Sequence, residues 1–103
     1  MGQFVKVCTT AELEGLPCGK LVEAAGQAIA VFNLSGSYHA IENLCPHRGG
    51  PLSQGQVEGG EVVCPFHGSR FDIRTGEVKA PPAGQGVRSF QVRVEGGDVE
   101  VEV

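Results

Sequence analysis

Two short stretches hold residues whose types and spacing could do chemistry: Cys45 followed by His47 as C-x-H, and Cys64 followed by His67 as C-x-x-H, with sixteen residues between them. One sulfur and one nitrogen from each of two segments make a soft, mixed ligand set, suited to zinc or to an iron-sulfur cluster. Zinc modules usually present a pair of cysteines in one knuckle and a pair of histidines in the other, around a single ion. Here each segment supplies one of each kind. A centre with two irons, one on thiolates and one on imidazoles, uses that arrangement well, because each segment then grips both irons.

The flanking residues add to this reading. CPHRGGPL from Cys45 and CPFHGSRFDIRTGEV from Cys64 closely resemble the two cluster-binding boxes of Rieske proteins, and the APPA run at residues 80–83 resembles their proline loop. The resemblance spans the chain from about residue 3 to its end, although only residues 45–83 carry specific motifs. It implies one [2Fe-2S] cluster per chain, with Cys45 and Cys64 on an inner iron and His47 and His67 on an outer one. It also implies that Gly49, Gly50 and Gly68 let the backbone pass close to the cluster or take a positive φ, and that Pro46 and Pro65 stiffen the loops.

Such ligation has an electrostatic consequence. An oxidised two-iron, two-sulfide core is doubly positive, so two thiolates and two neutral imidazoles bring the site to neutrality, whereas four thiolates would leave it doubly negative. Adding an electron to the neutral site is easier, which places Rieske centres at roughly -150 to +300 mV against about -400 mV for plant-type ferredoxins. High-potential respiratory Rieske proteins add a disulfide between the loops and hydroxyl donors from Ser and Tyr. The resemblance places Gly50 and Phe66 where those cysteines would stand, retains the serine as Ser69 and replaces the tyrosine with Phe71. A potential low in the Rieske range is therefore expected, lifted modestly by Ser69. Histidine ligation further predicts a potential that falls with rising pH once the oxidised form titrates.

Within the family, CPHRGGPL is also similar to the first box of aromatic-ring oxygenase large subunits. Those subunits add an iron site of two His and one carboxylate, which this chain, with only His39 to spare, is not expected to build. The better match is the small Rieske-type ferredoxin, an electron carrier and not an enzyme. Its partners would be a flavin-dependent ferredoxin reductase and a terminal oxygenase, met transiently. The small subunit of assimilatory nitrite reductase and a zinc-stabilised binding module remain alternatives. Arg48, Phe66, Pro81 and Pro82 lie near the outer histidines in sequence and could meet the partners; Phe66 could equally pack over the cluster.

The elements that must position these residues read as β-strands. Glycine is frequent at 16 residues of 103, aromatics are 6%, and valine recurs in short runs, a mix that favours strands joined by tight turns. Expected strands are residues 3–7, KLVEAA, QAIAVFNL and SYHAIEN, with a turn at Ser35-Gly36-Ser37 and a short helix in AELEG capped by Thr9 or Thr10 and stopped by Pro17. The C-terminal VRSFQVRVEGGDVEVEV alternates throughout and predicts a hairpin with Phe90, Val92, Val94, Val99, Val101 and Val103 on one face. Residues 44–86 read as loops interrupted by the short strands EVVC and RFDI.

The expected architecture is all-β: an antiparallel β-sandwich of Rieske type carrying a small cluster-binding subdomain of two loops and a proline loop. A single domain spans residues 1–103, its β base in residues 1–43 and 84–103 and the cluster part in residues 44–83. A net charge of -4 with no basic stripe argues against nucleic acid, and no apolar run reaches membrane length. A cytoplasmic monomer is expected. Cys8 and Cys18 read as small buried apolar residues, and His39 as a surface or satisfied strand histidine without a role.

Overall fold

The run Ala28 to Phe32 is apolar without alternation, and the fold supplies the reason. A computed structural model describes residues 2–16, 18–45, 50–66, 68–81 and 83–103. In it, strand β3 (Gln27–Leu34) lies inside a sheet that is covered on both faces. That sheet has the order β2 (Lys20–Ala24), β3, β4 (Ser37–Glu42) and β9 (Ser89–Phe90). One face, with Val22, Ile29, Val31, Ala40 and Phe90, packs on Cys8, Leu13, Val99 and Val101. The other, with Ala30, Phe32 and Ile41, packs on Cys45, Leu52, Val62, Cys64, Phe71 and Ile73. A strand buried on both sides has no reason to alternate.

The covering layers are themselves antiparallel sheets. One has the order β1 (Phe4–Thr9), β11 (Asp98–Glu102) and β10 (Val92–Glu95). The other runs β5 (Gln56–Glu58), β6 (Glu61–Val63), β7 (Arg70–Asp72) and β8 (Val78–Ala80) in sequence order. The expected all-β antiparallel architecture is therefore present. Tight turns at 25–26, 35–36, 59–60 and 96–97 have positive φ at both residues, the twist that matches flanking strands, so glycine occupies the second position of each. Asn33 Oδ1 accepts the Gly36 N–H at 2.7 Å and fixes the β3–β4 turn.

Helix α1 (Thr10–Leu13) is opened by Thr9, whose hydroxyl accepts the Glu12 N–H while Glu12 accepts the Thr9 N–H at 3.0 Å. This reciprocal cap lets so short a helix seat Leu13, 2% exposed, against the base of the central sheet. The proposed stop at Pro17 lies outside the described residues.

Several expectations need correction. The stretch from 44 to 86 is mainly loop, as expected, but holds two strands more than foreseen: β5 and β8 flank the two foreseen strands, each only three residues long and too short to show a period. The first strand continues to Thr9, absorbing a register shift between Lys6 and Cys8. The C-terminal alternating run is divided between sheets, because Phe90 pairs with Ala40 in the central sheet whereas Val92 pairs with Val101 in the outer one. Val94, at the outer edge, is consequently 44% exposed and not inward. Cys8 is buried as expected, but Cys18, in the connection leading to β2, is only half-buried.

Candidate metal centre

Cys64 stands one residue beyond β6 and Cys45 three residues beyond β4, each where a rigid ladder gives way to a tight loop. After β4, Leu44 and Pro51 form an isolated antiparallel bridge, and the Cys45 N–H donates to the Gly50 carbonyl at 2.9 Å. Below them the Asn43 carbonyl accepts the Leu52 N–H at 2.6 Å, and Asn43 Oδ1 accepts the Ser53 N–H at 2.9 Å. The first loop thus rises from a closed neck. After β6, the Cys64 N–H donates to the Ser69 carbonyl at 2.7 Å and the Gly68 N–H to the Cys64 carbonyl at 2.9 Å. Gly68 has φ +80° with open space around it, so its need for glycine is conformational.

The two loops touch. A methyl group added at Gly50 would stand 2.7 Å from the Cys64 sulfur and 3.4 Å from Phe66 Cβ, so the close approach excludes any side chain. That Cβ separation is near the ~3.5–4.5 Å of a disulfide, yet a glycine and a phenylalanine occupy the pair and no such bridge can form. Both cysteines are 1% exposed and share a cluster with Leu52, Val62, Phe71 and Ile73. Two thiols brought together under an apolar floor fit the inner half of a two-iron cluster, since burial there restricts water while thiolate charge is neutralised by iron.

His47 and His67 lie outside the described residues, as do Pro46, Arg48, Gly49 and Pro82. Among the described residues no group of three or more His, Cys, Asp or Glu comes together as a metal cage. Ser69 is fully buried, and its Oγ accepts the Ala83 N–H at 2.9 Å, which ties the second loop to the APPA segment. A hydroxyl so engaged retains a proton to donate. Phe71, also fully buried, lies in the same apolar cluster as the cysteines. Pro81 is exposed, Phe66 is 59% exposed, and Leu44, which the sequence reading passed over, is 54% exposed beside Cys45.

Asn43 and Ala83 were likewise missed. Asn43 had a signal in the sequence: an Asn leaving a strand two residues before a ligand loop is placed to bond nearby backbone. Ala83 contributes its N–H and a small buried side chain; the APPA run that contains it was singled out, but this contact was not.

The charged groups near the second loop are paired. Arg70 donates to Glu61 at 2.8 Å and Glu58 at 3.0 Å; these hydrogen bonds, Glu61 first, hold its guanidinium still more firmly protonated. His39 lies at the β3–β4 hairpin, its Nε2 sharing a 2.8 Å hydrogen bond with Ser37 Oγ. Burial, then the neighbouring Arg74 charge, lowers its pKa, with Asp72 acting oppositely.

Comparison with known proteins agrees with this geometry. Residues 3–91 match the model of the Rieske [2Fe-2S] domain. The ferredoxin component of the naphthalene 1,2-dioxygenase system of Pseudomonas aeruginosa is 36% identical over 90 residues, covering 87% of this chain and 85% of that protein. Among solved structures, the ferredoxin of carbazole 1,9a-dioxygenase from Nocardioides aromaticivorans IC177 superposes with a TM-score of 0.90 at 33% identity, covering 96% of each chain. A ferredoxin solved in a complex of reduced oxygenase and oxidized ferredoxin of carbazole 1,9a-dioxygenase gives 0.87 at 30% identity, covering 96% of this chain and 92% of its own. Its relatives being ferredoxin components, the protein is an electron carrier and does not itself catalyse a reaction. The chain belongs to the Rieske [2Fe-2S] domain family, and its cofactor is a two-iron, two-sulfide cluster of Rieske type.

Proposed function

We propose that this protein passes single electrons from a flavin-dependent reductase to a terminal oxygenase, with Cys45 and Cys64 holding the inner iron of its cluster and His47 and His67 the outer one. The observation that carries this reading is the pair of buried cysteines on two loops packed so closely that Gly50 leaves no room beside the Cys64 sulfur. The cluster supplies the capacity to take up and return one electron. The residues around it do the rest. Phe71, Leu52 and Val62 keep water from the thiolates, and Ser69, whose Oγ accepts from Ala83, would have its hydroxyl proton left to donate to the cluster. Gly49, Gly50 and Gly68 let the loops close on it.

Residues 44–83 serve as the cluster part of one domain and residues 1–43 and 84–103 as its base. Leu44, Phe66 and Pro81, all exposed, meet partners together with Pro82, in brief encounters below about 1,200 Å². The protein works in the cytoplasm as a monomer. A related ferredoxin solved with the carbazole 1,9a-dioxygenase oxygenase supports the oxygenase as acceptor. The test is stopped-flow mixing of the anaerobically reconstituted red-brown protein, first with a flavin reductase and NADH, then with a ring-hydroxylating oxygenase. Reduction by the first and reoxidation by the second are expected. A reduced protein that the oxygenase leaves reduced contradicts the proposal.

A further inference from the structure

Among the described residues, three polar side chains are buried, Asn43, Ser53 and Ser69, and all three lie at the feet of the two cysteine loops. Asn43 is the most heavily engaged. Its N–H donates to the Ala28 carbonyl on β3 at 3.0 Å, its carbonyl accepts from Leu52 at 2.6 Å, and its Oδ1 accepts from Ser53 at 2.9 Å. Its side chain thus joins both ends of the first loop, the end that enters at Leu44 and the end that leaves at Leu52–Ser53, and its backbone anchors that neck to the doubly buried strand. Cys45 is two residues away, inside the loop so closed.

We infer that Asn43 is a positioning residue: its side-chain amide fixes the neck of the first loop, and through it the Cys45 sulfur, in one geometry for both oxidation states. Electron transfer is fast when the ligands need not move as the charge changes, and a neck held by a buried hydrogen bond resists that movement. The inference rests on Cys45 being a ligand. Without the Asn43 oxygen the buried Ser53 N–H loses its acceptor and the loop gains freedom.

The test uses the holoprotein with Asn43→Leu, branched in the same way but bulkier and unable to accept a hydrogen bond, and Asn43→Asp, which matches Asn in size and retains an acceptor. Asn33→Ala is the control, because Asn33 makes the same kind of side-chain bond, to the Gly36 N–H, at the opposite end of β4. Asn43→Leu should speed loss of iron to a chelator and exchange of the Ser53 amide at least tenfold, and broaden the reduced EPR lines. Asn43→Asp should remain within about threefold of wild type in both rates and keep narrow lines. Asn33→Ala should lower the melting temperature without changing chelation or EPR. If Asn43→Leu lowers the melting temperature but leaves EPR and chelation as Asn33→Ala does, Asn43 is structural only and the inference is overturned. Should Asn43→Leu fail to fold, broadened EPR lines in Asn43→Asp would overturn it instead. A wild-type protein without iron and labile sulfide would sink the ligand assignment itself, a distinguishable failure.

Discussion

At the scale of single residues, the second loop offers very few groups with which to tune the centre. Ser69 is buried with one lone pair committed to Ala83, and Phe71 lies beside the cysteines with no donor to offer. A hydrogen bond to a charged acceptor is worth about 1.5–3 kcal/mol, which for a one-electron couple corresponds to roughly 60–130 mV at most. Phe71→Tyr should therefore raise the reduction potential and Ser69→Ala lower it, each by no more than that amount, as read by protein-film voltammetry. Ser69→Ala should also destabilise the fold, since it leaves the buried Ala83 N–H without its acceptor, by about 1–3 kcal/mol; Phe71→Tyr leaves that bond intact. If neither variant moves the potential, the hydrogen-bond account of the potential is wrong.

At the scale of elements, the central sheet serves two cores, and its residues divide between them by parity along the strand. Ile29 and Ile41 are both fully buried, yet Ile29 faces the β1–β11–β10 layer and Ile41 faces the cysteines. Replacing either by Ala should cost about 2–5 kcal/mol in denaturant unfolding, but only Ile41→Ala should also speed loss of the cluster to a chelator. The sequence made the Rieske family legible, because Cys, His, Gly and Pro at fixed offsets form a pattern that is local; which of them hold the irons is the proposal made above. It was equally clear for the long strands β3, β4 and β11. It concealed β5 and β8, where three residues offer no period and pairing with β6 and β7 decides the structure. The division of 87–103 between two sheets was hidden too, since alternation records which residues face a core but not which core. Asn43 offered only its place at the end of a strand run; the partner that gives its side chain importance, Ser53, stands ten residues away.

At the scale of the whole molecule, the cluster loops and the β3–β4 hairpin occupy opposite ends of β4, so properties of the two ends should vary independently. His39, at the hairpin end, has its pKa lowered chiefly by burial and secondarily by Arg74, against Asp72. Its neutral form is thus favoured in the folded chain. As pH falls through about 6.5, the ordinary histidine value, the unfolded chain takes up the proton first and stability declines toward the lowered folded value. The melting temperature should fall between about pH 7.5 and 5.5, and less so in His39→Gln, with the reduced EPR spectrum unchanged by that substitution. Equal pH dependence in the two proteins would remove His39 from the account. The central claim, a cluster clasped by thiolates from Cys45 and Cys64 and imidazoles from His47 and His67, is tested most directly by pulsed EPR on the reduced protein with ¹⁵N-labelled histidine. Two strongly coupled histidine nitrogens, retained in His39→Gln, are predicted. A reduced cluster with no such coupling, or one that loses a nitrogen when His39 is replaced, would contradict it.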